Sequence, residues 1–550
     1  MRKKIVGIFV MTLFIASAVL PALGTMNEIK DSGISSLDGP TVEWLKTYGG
    51  EEFDHFHTVR QTDDGGYIAC GVTEESDMFY VWLLKVDSYG NEEWSKINYN
   101  LNGTYISNTE MWVVGLDVIQ TSDGGYITSG VSMIEIEFHG EASWGTTGFL
   151  WKSDDEGNTD WIKHYYGLDV EEGLYASFLY NVIEIEDGYV AGGFKFLYDS
   201  ETATIIDTDG YILKTDFSGN QEWDNTFSKC LEDTLSSITQ TSDGGYFLGG
   251  CLVDEEEYEG GYALWMVKTD ANGIMEWDQI FDGPGFEYTY GKGFCETNDG
   301  GYIMNANTNS YGYGQVDNWI IKTDSSGNME WNKTFGGTKN DYTWSMCSCG
   351  ENGFIFGICA NYGGFGGTQD DMWIIKTDND GNAEWKLQIE ESGKQITRSV
   401  SFTNDGGVIV AAMTSHFGGR NSDGVLAKIS SSDNQRPNKP EKPDGPKRGK
   451  PDTEYTFSTT AIDPDGGSLY YRWNWGDGNF SDILAGEETT YTWSYEDNFE
   501  VRVMAIDEHG GESEWSDPLA FSTPRHKDIS QYNILFWRIL ERFMILKSPY

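Results

Sequence analysis

The sequence predicts an all-β chain: a seven-bladed β-propeller followed by a small β-sandwich. Three observations predict it. A Thr-x-Asp-Gly-Gly-Tyr turn recurs with its anchor at Tyr67, Tyr126, Tyr189, Tyr246, Tyr302, Phe354 and Val408. A lysine anchor in Trp-x-x-Lys-Thr-Asp recurs at Lys85, Lys152, Lys214, Lys268, Lys322, Lys376 and Lys428. The interval between repeats suits a four-stranded blade. Finally, the composition changes sharply after Ser430, and the period-two alternation of half-buried strands resumes beyond the change.

In chain order, Arg2, Lys3 and Lys4 precede an apolar run from Ile5 to Leu20 and then Ala22-Leu23-Gly24. That pattern predicts a signal peptide over 1–24, with a leader over 25–40. The propeller is expected over 41–430. Each unit reads strand A, tight turn, strand B, variable loop, strand C, tight turn, strand D, with Asp and Gly supplying the turn conformations. Strand D carries a tryptophan: Trp44, Trp94, Trp161, Trp223, Trp277, Trp331 and Trp385. Trp44 precedes the first strand A, and the last unit ends at Lys428 with no strand D of its own. The segment from Thr41 to Thr47 is therefore expected to close the ring as the outer strand of blade 7. The repeated lysines read as structural, their stems packed between strands and each ammonium meeting an acid or carbonyl.

The net charge is −51, which makes nucleic acid and anionic membranes poor partners. Seven cysteines are present, an odd number, and buried free thiols are expected. In a simple hairpin turning at Glu351-Asn352-Gly353, Cys359 would face Trp344.

Residues 431–452 are rich in Pro and Lys and read as a semi-rigid linker. A sandwich is expected over 453–523. Here Tyr471-Arg-Trp-Asn-Trp-Gly-Asp-Gly478 resembles the Tyr-x-Trp-Asp-Phe-Gly-Asp-Gly signature of PKD domains, with Asn474 and Trp475 as the two departures. The resemblance implies an immunoglobulin-like extracellular module that serves as spacer or adhesion unit. Asp463 and Asp465, with Asp507, offer oxygen ligands that could hold Ca²⁺; a turn closed by Asp side chains is the competing reading. No other cofactor is indicated. In the tail, 524–550, apolar residues from Ile534 to Leu546 with Arg538, Glu541 and Arg542 on one side predict an amphipathic helix for peripheral membrane or partner contact. The tail resembles those of archaeal surface proteins. The propeller repeat resembles secreted repeats of bacteria and archaea, which implies fold and export only.

B–C connections appear long and unlike one another, so their face is expected to carry the ligand. Candidate binding residues there are Glu141 and Trp144, Glu257 and Tyr258, Tyr311 and Tyr313, and Tyr362 and Phe365. Aromatic plates beside carboxylates suit sugar rings, metal ions or cationic groups. Against this acidic background, the three propeller arginines, Arg60, Arg398 and Arg420, all fall in blades 7 and 1, with His55, His57 and His416. That seam could bind a carboxylate or sulfate, although Arg398 lies near the start of its strand and Arg60 near the end of its own. No nucleophile triad, zinc motif or phosphate loop is present.

Three functions stay open: a secreted or cell-surface binding and adhesion protein recognising a polysaccharide or a surface protein, a polysaccharide-active enzyme using face carboxylates, and a structural envelope component. The sequence favours a non-catalytic role.

Overall fold

The structure is a computed structural model. It describes residues 40–523 and Arg538, apart from 51, 77, 99–112, 139–140, 166, 170–172, 199–204, 231, 254–260, 290, 313–314, 338, 349–352, 361–370, 390–393, 416–421, 432–436, 465, 467, 482 and 508–512. The chain separates into two compact units, one ending at Ser432 and one beginning at Asp433.

The first unit is a seven-bladed β-propeller. Blade 1 consists of strand A, Asp54–Gln61, B, Tyr67–Glu75, C, Met78–Val86, and D, Glu92–Asn98, paired in that order. Blades 2 to 6 repeat the antiparallel order A-B-C-D, with A strands at Val113–Gln120, Gly173–Ile185, Glu232–Gln240, Phe294–Glu296 and Asp341–Ser348. In blade 5, Glu287–Tyr288 pairs with the same B strand, so strand A is interrupted. Blade 7 has Lys394–Phe402, Val408–Ser415 and Ser422–Ile429 from its own end of the chain, and Val42–Tyr48 as its outer strand.

The ring closes. Val42–Tyr48 pairs antiparallel with Ser422–Ile429, Lys46 facing Leu426. The Ser430 amide donates to the Thr41 carbonyl at 2.9 Å. Between blades 7 and 1 lies a core of Phe56, Val59, Trp82, Ile409, Ala411 and Leu426, like the cores at the other interfaces. Each blade is apolar on both faces, so it is stable only with a neighbour on each side, and closure supplies the last one.

The repeated residues knit successive blades together. The Gly90 turn joining strands C and D of blade 1 has φ 74°, and a Cβ there would lie 2.8 Å from the Trp44 ring. Trp94 packs in this way on Gly157, Trp161 on Gly219, Trp223 on Gly273, Trp277 on Gly327 and Trp331 on Gly381. The same tryptophans meet the B-strand aromatic ring of the next blade, Trp44 meeting Tyr67 edge-on at 5.8 Å, Trp94 meeting Tyr126 at 5.7 Å and Trp331 meeting Phe354 at 6.5 Å. Only glycine admits this approach at positive φ. The recurring lysines Lys85, Lys152, Lys214, Lys268, Lys322 and Lys428 are buried and each meets two acids, while Lys376 pairs with Glu384. Lys85 pairs Asp64 at 2.8 Å and Glu93 at 2.7 Å, and Lys322 pairs Asp299 at 3.0 Å and Glu330 at 2.9 Å. Lys428 reaches Asp405 at 2.9 Å and, across the closure, Glu43 at 3.4 Å.

Two expectations about local geometry are corrected. The B–C connection of blade 1 is short, with strand B ending at Glu75 and strand C starting at Met78. In blade 6, Cys359 faces Tyr342 rather than Trp344, two residues away: the hairpin pairs Ser348 with Phe354, which would set Cys359 opposite Thr343, and a bulge between Thr343 and Ser345 adds one residue more. The described cysteines Cys70, Cys230, Cys251, Cys295, Cys347 and Cys359 are free thiols.

The second unit is a sandwich. Glu454–Ser458 pairs with Glu488–Thr492, and Leu469–Asn474 and Leu519–Ser522 flank Asn498–Asp507. Residues of the Pro/Lys-rich stretch run alongside it, the Asp444 amide donating to Ser458 O at 2.8 Å and that of Gly449 to Ser522 O at 2.9 Å. Trp475 lies in the core, stacked on Trp473 at 5.6 Å and on Tyr491 at 4.3 Å. The amphipathic helix expected for the tail is not among the described elements; beyond Thr523 only Arg538 is described.

Candidate axial binding site

Strand A is the innermost strand of each blade, and in six blades it carries a bulge at the same place. The register shifts lie between Phe56 and Thr58, Gly115 and Asp117, Leu179 and Asn181, Leu235 and Ser237, Thr343 and Ser345, and Thr397 and Ser399. The extra residues are His57, Leu116, Tyr180, Ser236, Trp344 and Arg398. A bulge leaves one residue outside the ladder and re-aims its side chain. Counted back from the A–B turn, the corresponding residue of blade 5 is Lys292, where strand A is broken. Its backbone bridges to Ser345 of blade 6, and its carbonyl accepts the Met346 amide at 2.8 Å.

One repeat position thus contributes seven different residue types, while the residue after it forms a small polar ring that joins blades. Ser399 Oγ accepts the Val59 amide at 3.4 Å, Asn181 Oδ1 that of Ile238 at 3.0 Å, Ser345 Oγ that of Val400 at 3.2 Å and Asp117 Oδ2 that of Val182 at 3.2 Å.

Asp117, fully buried, is the acid of that ring. Lys292, three blades away, donates to it and to the Leu116 carbonyl, the latter at 2.9 Å. Arg60 Nη2 lies 3.6 Å from the same carboxylate, and Asn181 Nδ2 also donates to it. Burial would raise Asp117, but Lys292 and Arg60 outweigh it and hold the carboxyl below its ordinary value. Burial pushes the Lys292 ammonium down to about 8, against the pull of Asp117.

His55 and His57 meet through their Nε2 atoms at 2.9 Å. Burial, reinforced by Arg398, holds both imidazoles well below their ordinary value, so both are neutral. A shared Nε2–H···Nε2 bond requires the accepting ring to carry its own proton on Nδ1. Arg398 lies over the Trp344 ring at 5.1 Å and acts electrostatically on Tyr180 and both histidines. His57, Tyr180, Trp344 and Arg398 each keep part of their surface accessible.

Of the residues singled out in the sequence, the structure brings Arg60 and Arg398 to the axis, together with His55 and His57. Arg420 and His416 fall outside the described residues, as do Glu257, Tyr258, Tyr313, Tyr362, Phe365 and Asp465. Glu141 and Trp144 belong to strand C of blade 2, Trp144 opposite Glu135 in a long hairpin. Tyr311 packs near Trp319, at 4.9 Å, and donates to the Asp282 carbonyl at 3.3 Å. Asp507 is buried and pairs in register with Leu469; among the described residues, no three His, Cys, Asp or Glu side chains group as metal ligands. Lys292, Asp117, Tyr180 and Trp344 were missed. The signal was present: aligned on the A–B turn, this is the position at which the seven repeats all differ.

Fold and site together define a seven-bladed β-propeller with a polar, aromatic axial ring, followed by an immunoglobulin-like module. That module, over residues 443–517, matches the PKD domain model, and the C-terminal unit of the chain belongs to the PKD family. It is similar to the PKD domain of an M14-like peptidase from Thermoplasmatales archaeon SCGC AB-540-F20, at 32% identity, covering 17% of this chain and 99% of that one, with a TM-score of 0.16. An α-L-arabinofuranosidase from Fusarium graminearum is 9% identical over 72% of this chain and 97% of its own, with a TM-score of 0.38. The extracellular domain of a one-component system from B. thetaiotaomicron is 12% identical over 85% and 67%, with a TM-score of 0.19. No curated protein matches the chain.

Proposed function

We propose that the chain is an exported, non-catalytic binding protein whose propeller takes a glycan at the axial ring, with the PKD unit as spacer. One observation carries this reading: a single repeat position supplies His57, Tyr180, Lys292, Trp344 and Arg398 to one place, while the neighbouring positions keep to their structural roles. A position that differs in all seven repeats of an otherwise patterned strand is free to vary for recognition. Tyr180 and Trp344 offer faces for a sugar ring, and Arg398 and Lys292 offer donors.

Three acids at the start of strand A, Asp54, Asp233 and Asp341, support binding over hydrolysis, because they are committed to the fold. Asp54 Oδ2 accepts the Gly50 amide at 2.6 Å, Asp341 Oδ2 accepts that of Gly337 at 2.5 Å, and Asp233 accepts those of Lys229 and Cys230. A second reading, a polysaccharide-active enzyme, has one observation in its favour. Asp209 and Glu232 adjoin where strand C of blade 3 meets strand A of blade 4, and burial raises both carboxyls.

The test is retention of the purified chain on a panel of envelope and environmental polysaccharides, with the supernatant assayed for new reducing ends. Retention without cleavage, lost in Trp344→Ala, is the expected result. New reducing ends that disappear in Asp209→Asn would replace this reading with the enzymatic one.

A further inference from the structure

We infer that a groove between blades 2 and 3, apart from the axial ring, takes an arginine or lysine side chain presented by a partner protein. It lies among the A–B and C–D turns and does not depend on the glycan reading above. The groove holds about 330 Å³, and Trp161, Tyr189 and Phe217 line it together with Asp123, Asp160 and Glu184.

Two departures from the repeat shape it. The residue before the strand D tryptophan is Glu43, Glu93, Glu222, Glu276, Glu330 and Glu384 in the other six blades, but Asp160 in blade 2. The shorter side chain stops 3.7 Å from Lys152, where Glu93 reaches Lys85 at 2.7 Å and Glu330 reaches Lys322 at 2.9 Å. That gap is too long for a hydrogen bond, and the Asp160 carboxylate is more than half exposed. The second departure follows the C–D turn aspartate. Blades 1, 2, 4, 5 and 6 have Ser88, Asp155, Ala271, Ser325 and Asn379 there, while blade 3 has Phe217. Its ring is 45% exposed and stands edge-on to Tyr189 at 5.5 Å.

The charge of the groove selects its occupant. Lys152 is buried beneath, pairing with Asp123 at 3.0 Å and donating to the Ser153 carbonyl at 3.0 Å. Glu184 accepts the Ser122 amide and hydroxyl, both at 2.7 Å, which are neutral donors. Lys163, on the same strand as Asp160, has Asp216 as an electrostatic neighbour. Three lining carboxylates therefore face one lining ammonium, an excess of two negative charges. They converge: burial raises the Tyr189 phenol, and Glu184, Asp123 and Asp160 each push it the same way. Tyr189 is only 2% exposed, and its hydroxyl makes no hydrogen bond among the described residues. The phenol oxygen can accept from an incoming N–H.

A metal ion would leave the rings unused, and among the described residues no three acids group as metal ligands. A neutral sugar would leave the charge unmet. A long apolar stem ending in a cation matches both halves of the groove, the stem along Trp161 and Phe217 and the head toward Asp160 and Glu184. Arginine and lysine are the side chains built that way.

The experiment is a ligand-observed NMR titration of the full chain at about 0.15 M salt. The probes are three blocked pentapeptides, Gly-Ser-Arg-Ser-Gly and its lysine and glutamine counterparts. The arginine or lysine peptide should bind with a Kd of about 1 mM or tighter, and the glutamine peptide at least about tenfold more weakly. Preference between the two cationic peptides assigns the head group. The net charge of −51 attracts any cation diffusely, so the deciding variants leave charge unchanged. Phe217→Ala should weaken binding about fivefold. Tyr89→Ala, which removes a ring 44% exposed in the C–D turn of blade 1, should leave it unchanged. Asp160→Glu keeps the charge but restores the repeat's pairing with the lysine, and should weaken binding about threefold. Near-ultraviolet circular dichroism should be the same in all three variants, and either groove variant alone decides the matter if the other misfolds. Equal affinity for the glutamine peptide, equal losses in Phe217→Ala and Tyr89→Ala, full affinity in a folded Asp160→Glu, or no binding by any peptide would overturn this inference. The polysaccharide panel reports on the axial reading separately.

Discussion

Trp44→Ala and Trp385→Ala exchange the same residue type at the same repeat position, yet their costs should differ. Trp44, on the closing strand, packs against Gly90 and Tyr67 of blade 1, and its indole N–H donates to the Ser88 carbonyl at 3.0 Å. Trp→Ala in a full core costs about 3–5 kcal/mol. Trp44 is only half-buried, so about 2 kcal/mol is expected from packing, and the lost hydrogen bond adds about 1. Trp385 has no C–D turn beneath it, because blade 7 takes its outer strand from the other end of the chain. Its B-strand neighbour is Val408 rather than an aromatic, and its buried indole nitrogen has no partner. Removing Trp385 forfeits packing but relieves that unmet donor, so about 1 kcal/mol is expected. The propeller spans roughly 390 residues, which gives an unfolding entropy of about 0.8 kcal/mol/K. Scanning calorimetry should therefore show the propeller transition falling by about 4 °C for Trp44→Ala and about 1 °C for Trp385→Ala. Equal shifts would refute the assignment of the tryptophan's role to the next blade's turn.

Two further outcomes are expected. Against the upward pull of burial, Lys85 and Thr62 hold Asp64 at about 2, and Lys322 and Thr297 do the same for Asp299; at Asp243, also at about 2, the Thr241 hydroxyl has the largest effect. A carboxyl depressed in the folded state stabilises above its unfolded value near 3.8, and that stability is lost as the pH falls toward 2. These acids are more than half exposed, so each contributes modestly. The repeated pairs should nevertheless confine acid unfolding, followed by far-ultraviolet circular dichroism, to below about pH 4; unfolding centred above pH 5 would contradict this. Asp117→Leu leaves Lys292 buried without its carboxylate and should cost about 3–5 kcal/mol in urea unfolding, with Asp117→Leu/Lys292→Met recovering most of it. A double variant no more stable than the single one would show that the ion pair is not what matters at the axis.

The repeat was legible because its residues do the same job seven times. Lysine, glycine and tryptophan recur where each blade must meet the next, and recurrence is what sequence displays. The closing strand was legible through Trp44, an outer-strand residue found before any inner strand. The axial ring was harder to see. It depends on a bulge, which arises from how strands pair and has no composition of its own, and the bulge accounts for one of the two residues by which the simple hairpin misplaced Cys359. Arg60 and Arg398 drew notice as rare cations, but their separation along the strands argued against convergence; Lys292, reaching across from blade 5, is what links the set through Asp117. Nothing in the sequence around Lys292 announces that reach, since the break in its strand and its bridge to blade 6 arise only from how the blades pair.

The closing strand also fixes an order of events. Residues 42–48 emerge early in synthesis, yet their partner, Ser422–Ile429, emerges nearly four hundred residues later. Until then blade 1 lacks one neighbour, and the early strand has an unpaired edge available to any other strand nearby. Blades 1 to 6 can form in succession, but the ring can seal only after the last blade is made. A nascent or truncated chain is therefore an open arc with two sticky ends, and exchange of the 42–48 strand between two such arcs would join them as a swapped pair.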